Sequence, residues 1–254
     1  MLQLLEKVMG HAAFSYQGIK LLLGPYGLLD NFMLRDININ PYVTSALTQY
    51  LSNGGIFLDV GANHGVLSLL AAKNPKIQVF AFEPSMRELN RLWKNLMLNE
   101  QLRVNVLSYG LGNENKTQAF VLSPSDNPGK NSLPAICEKG THVTCPFIKL
   151  TDLFSRDLLK QVRLCKLDVE GQEMLILNSL KDEMSHLQTC VFVIEMHQPF
   201  LSKIGFKPDD IYAFFKNAGF KYQFGKPDHY EQWEGQWEEF FYHPTYNQPL
   251  TLNE

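Results

Sequence analysis

The sequence predicts a doubly wound α/β fold, with a mostly parallel sheet of seven strands and an antiparallel hairpin at one edge. Short apolar runs alternate with segments of helical period along most of the chain. One run, residues 190–197, is long and apolar enough to be buried on both faces, as strands of parallel sheets are. A glycine-punctuated turn joins another run, residues 57–60, to a helix. These patterns indicate a sheet that helices cover on both faces.

The strand over residues 57–60 is the most informative element. Asp59 lies near its end, and Gly61 and Gly65 follow where the backbone must pass close to a ligand and Cβ atoms would obstruct it. A helix begins at once after Gly65. We therefore expect this turn to hold a nucleotide-like cofactor.

A second acidic residue ends the next apolar strand, residues 78–82. Glu83 follows Asp59 by 24 positions, and a carboxylate there can accept hydrogen bonds from both hydroxyls of a ribose. Each such bond contributes on the order of 1.5 to 3 kcal/mol. The turn lacks the G-x-G-x-x-G pattern of dinucleotide sites, because Asn63 follows two positions after Gly61, which argues against NAD.

Helices and strands continue to alternate in the middle of the chain. Apolar residues recur at helical spacing over residues 86–99, and residues 104–109 and 119–122 are predicted to be strands. Residues 123–146 are rich in Ser, Pro, Asn, Gly and Lys. We expect them to form a long surface excursion, of the kind that serves as a lid or substrate-recognition element.

The same alternation returns in the last third of the sequence. A strand over residues 163–168 leads into a helix, and residues 190–197 form the next strand. A helix follows over residues 208–219. The last two strands, residues 220–224 and 238–242, have a short connection and are predicted to pair as an antiparallel hairpin at the sheet edge.

Length and composition indicate one globular domain. The 254 residues are 45% hydrophobic and 19% charged, as in ordinary folded proteins. We expect residues 1–50 to form a helical extension packed on the core and residues 51–254 to form the domain itself. The net charge of -3 gives no general attraction to phosphate backbones, so no nucleic-acid partner is expected.

The four cysteines show neither CxxC pairs nor zinc spacing, and we expect them to be reduced core residues. No run approaches the ~18 apolar residues that a membrane-spanning helix requires. We therefore expect a cytoplasmic protein without a membrane span. The sequence indicates no oligomeric state.

Five segments in order resemble the S-adenosylmethionine-dependent methyltransferases of the FkbM family. They read D-V-G-A-N-H-G at 59–65, F-E-P at 82–84, L-G-N at 111–113, K-L-D-V-E-G-Q-E at 166–173 and I-E-M-H at 194–197. The first segment indicates the cofactor and the fourth indicates the family. The resemblance covers about residues 35–224 and implies a class I, Rossmann-like fold with S-adenosylmethionine as cofactor.

The resemblance also implies roles for individual residues. Those around the amino-acid end of the cofactor would be Asp59, Gly61, Asn63 and Gly65. Glu83 would hold the ribose, and the turn near Gly110 and Leu111 would contact the adenine.

Methyl transfer to a hydroxyl needs a base, and polar residues at the carboxyl ends of two central strands are the candidates. These are His197, Asp168, Glu170 and Glu195. His197 is the first choice, because its unperturbed pKa lies near neutrality, and Asp168 is the second. A divalent ion on Asp168, Glu170 and His197 is an alternative that their spacing does not separate from metal-free catalysis, so no metal is assigned.

The sequence therefore predicts O-methylation of a hydroxyl on a sugar or another small metabolite. Methyltransferases acting on planar nitrogens usually carry Asn or Asp, then Pro-Pro and an aromatic residue, where this chain has D-V-E-G at 168–171. Two alternatives stay open: a non-catalytic S-adenosylmethionine-binding protein and an NAD-linked oxidoreductase.

Overall fold

The structure is a computed structural model, and it describes residues 13–22, 40–123, 130–230 and 235–251. Much of the predicted N-terminal extension, residues 1–12 and 23–39, lies outside these ranges, as do residues 124–129 of the predicted excursion. Within the described part of the chain, no helix is both long and apolar enough to cross a membrane.

Strands and helices alternate through most of the described chain. The strands are β1 (Ala13–Tyr16), β2 (Ile19–Leu22), β3 (Gly55–Val60), β4 (Ile77–Phe82), β5 (Val104–Leu107), β6 (Gly110–Leu111), β7 (Lys116–Leu122), β8 (Thr141–Ile148), β9 (Val162–Leu167), β10 (Val191–Met196), β11 (Lys221–Tyr222) and β12 (Trp237–Tyr242). The helices are α1 (Pro41–Tyr50), α2 (Val66–Ala72), α3 (Met86–Met97), α4 (Leu150–Leu153), α5 (Arg156–Leu159), α6 (Glu173–Ser179), α7 (Gln198–Lys203) and α8 (Pro208–Asn217), with a 3₁₀ helix at Lys181–His186.

Seven strands form the central sheet in the order β11-β12-β10-β9-β3-β4-β5. The pairs from β10 to β5 are all parallel, and β12 is antiparallel to both β10 and β11. The predicted fold class is therefore confirmed, including the antiparallel pairing of the last two strands. The final strand, β12, inserts between β10 and the edge strand β11.

Both faces of the sheet are buried, because neighbouring residues of one strand belong to different hydrophobic clusters. Leu58 packs in the cluster that contains α8, whereas Phe57 packs in the cluster that contains α1. Helix α1 begins at Pro41, and the Asn40 side chain caps it by accepting from the Val43 N–H at 3.2 Å. This two-sided burial explains the continuous apolar runs of the sequence.

Residues 13–22 correct the prediction of a helical N-terminal extension. They form an antiparallel hairpin in which Tyr16 pairs with Ile19. Gln17 and Gly18 connect the strands with positive φ angles of 46° and 81°, the backbone of a two-residue hairpin turn. Apolar and polar residues alternate on both sides of the Gln-Gly pair, and this alternation was the sequence signal for a hairpin. The hairpin packs on Val66 and Leu69.

The predicted excursion over residues 123–146 is wrong at its C-terminal end, residues 141–146. Strand β8 runs from Thr141 to Ile148 and forms a second sheet in the order β6-β8-β7. Its buried residues, Cys145 and Phe147, alternate with exposed ones and pack on Phe120. Pro146 obscured this strand, yet it is tolerated there because β6 pairs only with Phe147 and Ile148.

Candidate active site

The site lies where the strand order reverses. From β3 the sheet continues to β4 on one side and to β9 on the other, so a crevice opens beyond the carboxyl ends of β3 and β9. A cavity of about 440 Å³ occupies this crevice, a volume typical of small-molecule sites. The predicted residues that line it are Asp59, Gly61, Asn63, Glu83, Gly110, Leu111, Asp168, Glu170 and Glu195. In the described ranges, Gly65 and His197 are the predicted residues that do not line it.

The turn after β3 requires its two glycines for different reasons. Gly61 has φ 82°, and a Cβ there would lie 1.9 Å from the Asp168 carbonyl oxygen. Gly65 has φ 77° at the start of α2, where a Cβ would lie 3.0 Å from Leu92 Cγ. Gly61 thus lets β3 and β9 approach each other at the cavity, whereas Gly65 lets α2 pack against α3.

Asp59 and Asn63 each present a buried oxygen that accepts no hydrogen bond from the described residues. Asp59 Oδ2 accepts from the Ser68 hydroxyl at 2.6 Å, whereas Asp59 Oδ1 accepts no hydrogen bond in the described part of the chain. Asn63 Oδ1 is buried and unpartnered in the same way. Burial raises the pKa of Asp59, and Lys166 and Ser68 oppose that rise. Two orphaned acceptors facing one cavity suit a ligand that carries several N–H donors.

Glu83 is held in one orientation by backbone donors. Its Oε2 accepts from the Asn63 N–H and its Oε1 from the Ser85 N–H, both at 2.9 Å. Burial raises the pKa of Glu83 to about 7, although these hydrogen bonds lower it. Each carboxylate oxygen keeps a further lone pair, so Glu83 can also accept from two ligand hydroxyls.

An aromatic wall closes the side of the cavity formed by Gly110 and Leu111. A Cβ on Gly110 would lie 2.3 Å from the Phe147 ring, so the ring packs directly on the glycine backbone. Phe120 lies against Phe147, with ring centroids 5.9 Å apart, and both rings line the cavity. This wall suits a flat apolar group such as a purine ring.

Lys166 lies at the centre of the site, and the sequence analysis did not single it out. Its Nζ lies 3.0 Å from Asp168 Oδ2 and 3.7 Å from Asp59 Oδ1, and it donates to the Gly61 carbonyl at 3.2 Å. Burial disfavours the ammonium, but Asp168 and Asp59 outweigh it and raise the pKa of Lys166 well above its usual range. A lone lysine inside an apolar strand was the available signal, because lysines are seldom buried without a partner.

Three acidic side chains meet beyond β9 and β10, and we call Asp168, Glu170 and Glu195 the carboxylate cluster. One oxygen from each lies within 4.8 Å of the others. Burial opposes ionisation of Asp168, but Lys166 holds its pKa below the ordinary value. Burial, and then the charge of Asp168, raise the pKa of Glu170 and of Glu195 well above the ordinary value.

His197 lies apart from this cluster, immediately before α7. Its ring stacks on Phe200 with centroids 3.7 Å apart, and its Nδ1 has no hydrogen-bond partner in the described part of the chain. Burial, together with Lys130 and Lys203, lowers the pKa of His197 to about 4. The imidazole is therefore neutral at physiological pH.

Comparison with known proteins identifies the family. The profile of the FkbM methyltransferase domain matches residues 59–222, well over half of the chain. The chain belongs to the FkbM methyltransferase family. S-adenosylmethionine is the cofactor of this family, and the FkbM motifs of the sequence are the segments that line the cavity.

Individual relatives are more distant. A fungal protein named Methyltransferase 1, from Beauveria bassiana, is 29% identical over 146 residues, which are 50% of this chain and 58% of the relative. The matched region thus spans little more than half of that relative's length.

Two solved structures show a similar arrangement of strands and helices. A rRNA methylase from Streptococcus thermophilus has a TM-score of 0.48 at 10% identity, covering 79% of this chain and 93% of that one. A precorrin-6y C5,15-methyltransferase from Geobacter metallireducens has a TM-score of 0.41 at 12% identity, covering 78% and 82%.

The cavity fits the FkbM cofactor in three places. The orphaned oxygens of Asp59 and Asn63 suit an ammonium group, the oriented carboxylate of Glu83 suits ribose hydroxyls, and the Phe147 wall suits an adenine. Gly61 keeps the backbone between them free of a Cβ. These residues would therefore hold S-adenosylmethionine in the cavity that the carboxylate cluster also lines.

Proposed function

We propose that this FkbM protein transfers a methyl group from S-adenosylmethionine to a hydroxyl of a sugar or another small metabolite. The observation that carries the proposal is the carboxylate cluster, which shares one cavity with the cofactor-binding residues. Carboxylates can accept a hydroxyl proton and hydrogen-bond to neighbouring hydroxyls. The segment 168–171, D-V-E-G, stands where an enzyme for planar nitrogens would have its Pro-Pro-aromatic segment.

The binding residues contribute mainly by orientation. When bound, S-adenosylmethionine supplies an electrophilic methyl group on a sulfonium. Asp59 and Asn63 would anchor one end of the cofactor and Glu83 would hold the ribose, so that these residues would fix the cofactor's orientation. Well-oriented reacting groups reach effective molarities of ~10⁵ M or more, so orientation can supply most of the rate.

Among the four predicted candidates, we favour Asp168 as the group that accepts the hydroxyl proton. Lys166 keeps the pKa of Asp168 low, so the Asp168 carboxyl is ionised at neutral pH. The Asp168 side chain is also 31% exposed. The Glu195 carboxyl hydrogen-bonds to Asp168 and, like Lys166, favours its ionised form, which is the form that can accept a proton. His197 lies outside the cavity lining, stacked on Phe200, so we propose that it supports the wall and does not contact the acceptor.

The cavity wall favours a polar, uncharged acceptor. Lys130, Asn131 and Gln236 line it beside the carboxylate cluster and offer hydrogen-bond donors to hydroxyl groups. The acidic cluster and the net charge of -3 disfavour a phosphate backbone. The four cysteines are free, which suits a reducing compartment and supports the cytoplasm as the location.

A labelled-methyl assay against metabolite extracts and a panel of hydroxyl acceptors tests the proposal. We expect labelled O-methyl products by mass spectrometry, and a loss of about 10²-fold or more in kcat for Asp168→Asn, because the base is removed. Asp157→Asn, on an exposed side chain of α5, is the matched control and should retain full activity. Labelled product on nitrogen or RNA would contradict the proposed acceptor.

Calorimetry separates the two alternative functions. Asp59→Ala and Glu83→Ala should abolish S-adenosylmethionine binding, because they remove the groups proposed to hold the cofactor. Tight NAD binding without S-adenosylmethionine binding would favour an oxidoreductase. Ordinary S-adenosylmethionine affinity without transfer to any acceptor would favour a non-catalytic binding protein.

A further inference from the structure

The carboxylate cluster has the dimensions of a cation site. Because its three oxygens lie within 4.8 Å of one another, a common point exists within about 2.8 Å of all three. Ca²⁺ takes carboxylate oxygens at about 2.3 to 2.6 Å, so small side-chain movements bring all three to bonding distance. Mg²⁺ requires about 2.0 to 2.1 Å and would need a larger contraction.

A buried oxygen of Glu170 is an independent indication of a ligand. The residue is only 9% exposed, and its Oε2 has no hydrogen-bond partner in the described part of the chain. Glu170 lines the cavity and contributes one of the three clustered oxygens. A buried acceptor without a donor costs free energy unless a ligand satisfies it.

The donors around the cluster do not balance its three carboxyl groups. Lys166 Nζ reaches Asp168 Oδ2, but it is shared with Asp59 and the Gly61 carbonyl. The Gln236 amide donates to Glu195 Oε1 at 2.9 Å. Lys130 Nζ lies over the Phe200 ring, 5.7 Å from its centroid. Asp168 and Glu195 also share a hydrogen bond, whereas Glu170 Oε2 has no partner in the described part of the chain. A cation among the three carboxylates would take the place of the proton that Asp168 and Glu195 share.

We propose that Asp168, Glu170 and Glu195 bind one divalent cation of the Ca²⁺ or Mn²⁺ class, next to the position of the methyl acceptor. Oxygen ligands from carboxylates, with cavity water completing the sphere, suit such hard cations. Glu195 takes the place that the sequence pattern assigned to His197, because the His197 ring stacks on Phe200 away from the cluster.

The cation would have a direct use in the reaction. A hydroxyl bound to a divalent cation loses its proton more readily, so the acceptor oxygen becomes a better nucleophile. This consequence rests on the proposed O-methyl transfer. Cation binding itself does not, because it follows from the carboxylate cluster and the unpartnered Glu170 oxygen.

The test is a titration of the full-length, metal-free protein with Mn²⁺, followed by electron paramagnetic resonance of the free ion. We expect one saturable site, and Mn²⁺ binding weakened about tenfold or more in Glu170→Gln and in Glu195→Gln. Glu114→Gln, at a surface residue paired with Lys116, should bind Mn²⁺ as the unchanged protein does. Calorimetric binding of S-adenosylhomocysteine to each variant shows that the fold is intact.

Absence of saturable Mn²⁺ binding, or equal affinity in the cluster variants and in Glu114→Gln, would overturn the proposal. If both cluster variants fail to fold, anomalous difference density in Mn²⁺-soaked crystals of the unchanged protein decides it. A peak among the three carboxylates supports the site, and a peak elsewhere, or none, rejects it. Saturable Mn²⁺ binding without methyl transfer to a hydroxyl would refute the proposed function alone.

Discussion

At the level of single residues, Lys166 links Asp59, after which the glycine turn follows, to Asp168 of the carboxylate cluster. It lies opposite Asp59 in the register of β3 and β9, so both side chains are on the same face of the sheet. The same ammonium reaches Asp168, the carboxylate that we propose to accept the acceptor's proton. One buried ammonium therefore holds together the acid that we propose to bind the cofactor and the acid that we propose to accept the proton.

Replacing Lys166 by Met keeps the apolar stem and removes the charge. Asp59 would then be buried, and Asp168 partly buried, without their cation. Breaking a buried ion pair in this way costs about 3 to 5 kcal/mol. We expect that loss in the free energy of unfolding, measured by urea denaturation. Lys160→Met removes an exposed partner of Asp157 and should cost at most about 1 kcal/mol. Similar losses in the two variants would show that Lys166 is not the electrostatic centre of the site.

At the level of elements, the turn after β3 depends on backbone approach as well as on backbone conformation. Gly61 lies against the Asp168 carbonyl, whereas Gly205 has a nearly identical φ of 84° and nothing within 4 Å of its missing Cβ. Comparing alanine substitutions at the two positions therefore distinguishes the free-energy cost of a left-handed backbone from the cost of a steric clash.

Gly61→Ala should therefore be far more damaging than Gly205→Ala. At Gly205 the expected loss is about 1 to 2 kcal/mol, the cost of a left-handed conformation for a residue with a Cβ. At Gly61 that cost adds to a clash between two strand ends, so β3 and β9 must separate and cofactor binding should be lost. Thermal unfolding and calorimetry measure both effects. A Gly61→Ala protein with the stability of Gly205→Ala and normal cofactor affinity would contradict this account.

At the level of the whole molecule, several acidic side chains are buried in and around the crevice. Glu173 Oε1 accepts from the Val169 and Gly171 N–H groups, and so orders the loop that carries Glu170. Burial raises the pKa of Glu83 and of Glu173 from 4.5 to about 7. The folded protein thus binds these protons more tightly than the unfolded chain does.

The stability of the cofactor-free protein should consequently fall as the pH rises. The contribution of each raised carboxyl is fully present below its unfolded pKa of 4.5 and is lost as the pH rises through about 7. Between about pH 5.5 and 8 we expect a loss of roughly 2 kcal/mol per group in urea denaturation. Glu173→Gln removes one titrating group and should flatten the profile. An identical pH dependence in that variant would exclude Glu173 as a contributor.

Local sequence was sufficient to predict which of the residues proposed to bind the cofactor lie together. Asp59, Gly61 and Asn63 belong to one strand and turn, and Glu83 follows the next parallel strand, so their meeting depends only on adjacent elements. The carboxyl ends of β9 and β10 were equally predictable, and Asp168 does meet Glu195 there. Residues 13–22 and strand β8 were missed, because a Gln-Gly turn and a proline-containing strand have weak local signals.

The sequence by itself determined the fold class, the FkbM family and the residues expected to hold the cofactor, because these follow from short contiguous motifs on consecutive elements. Only the tertiary structure decided how Lys166 and the carboxylate cluster are arranged. Strand register places Lys166 opposite Asp59. Glu195, and not His197, lies close to Asp168 and Glu170. Helix α7 begins three residues beyond Glu195, directly after His197, and the His197 ring packs on Phe200 and does not line the cavity. The pairing of Lys166 with Asp59 depends on contact between distant segments, and the position of His197 depends on how α7 begins and packs. Short contiguous motifs encode neither.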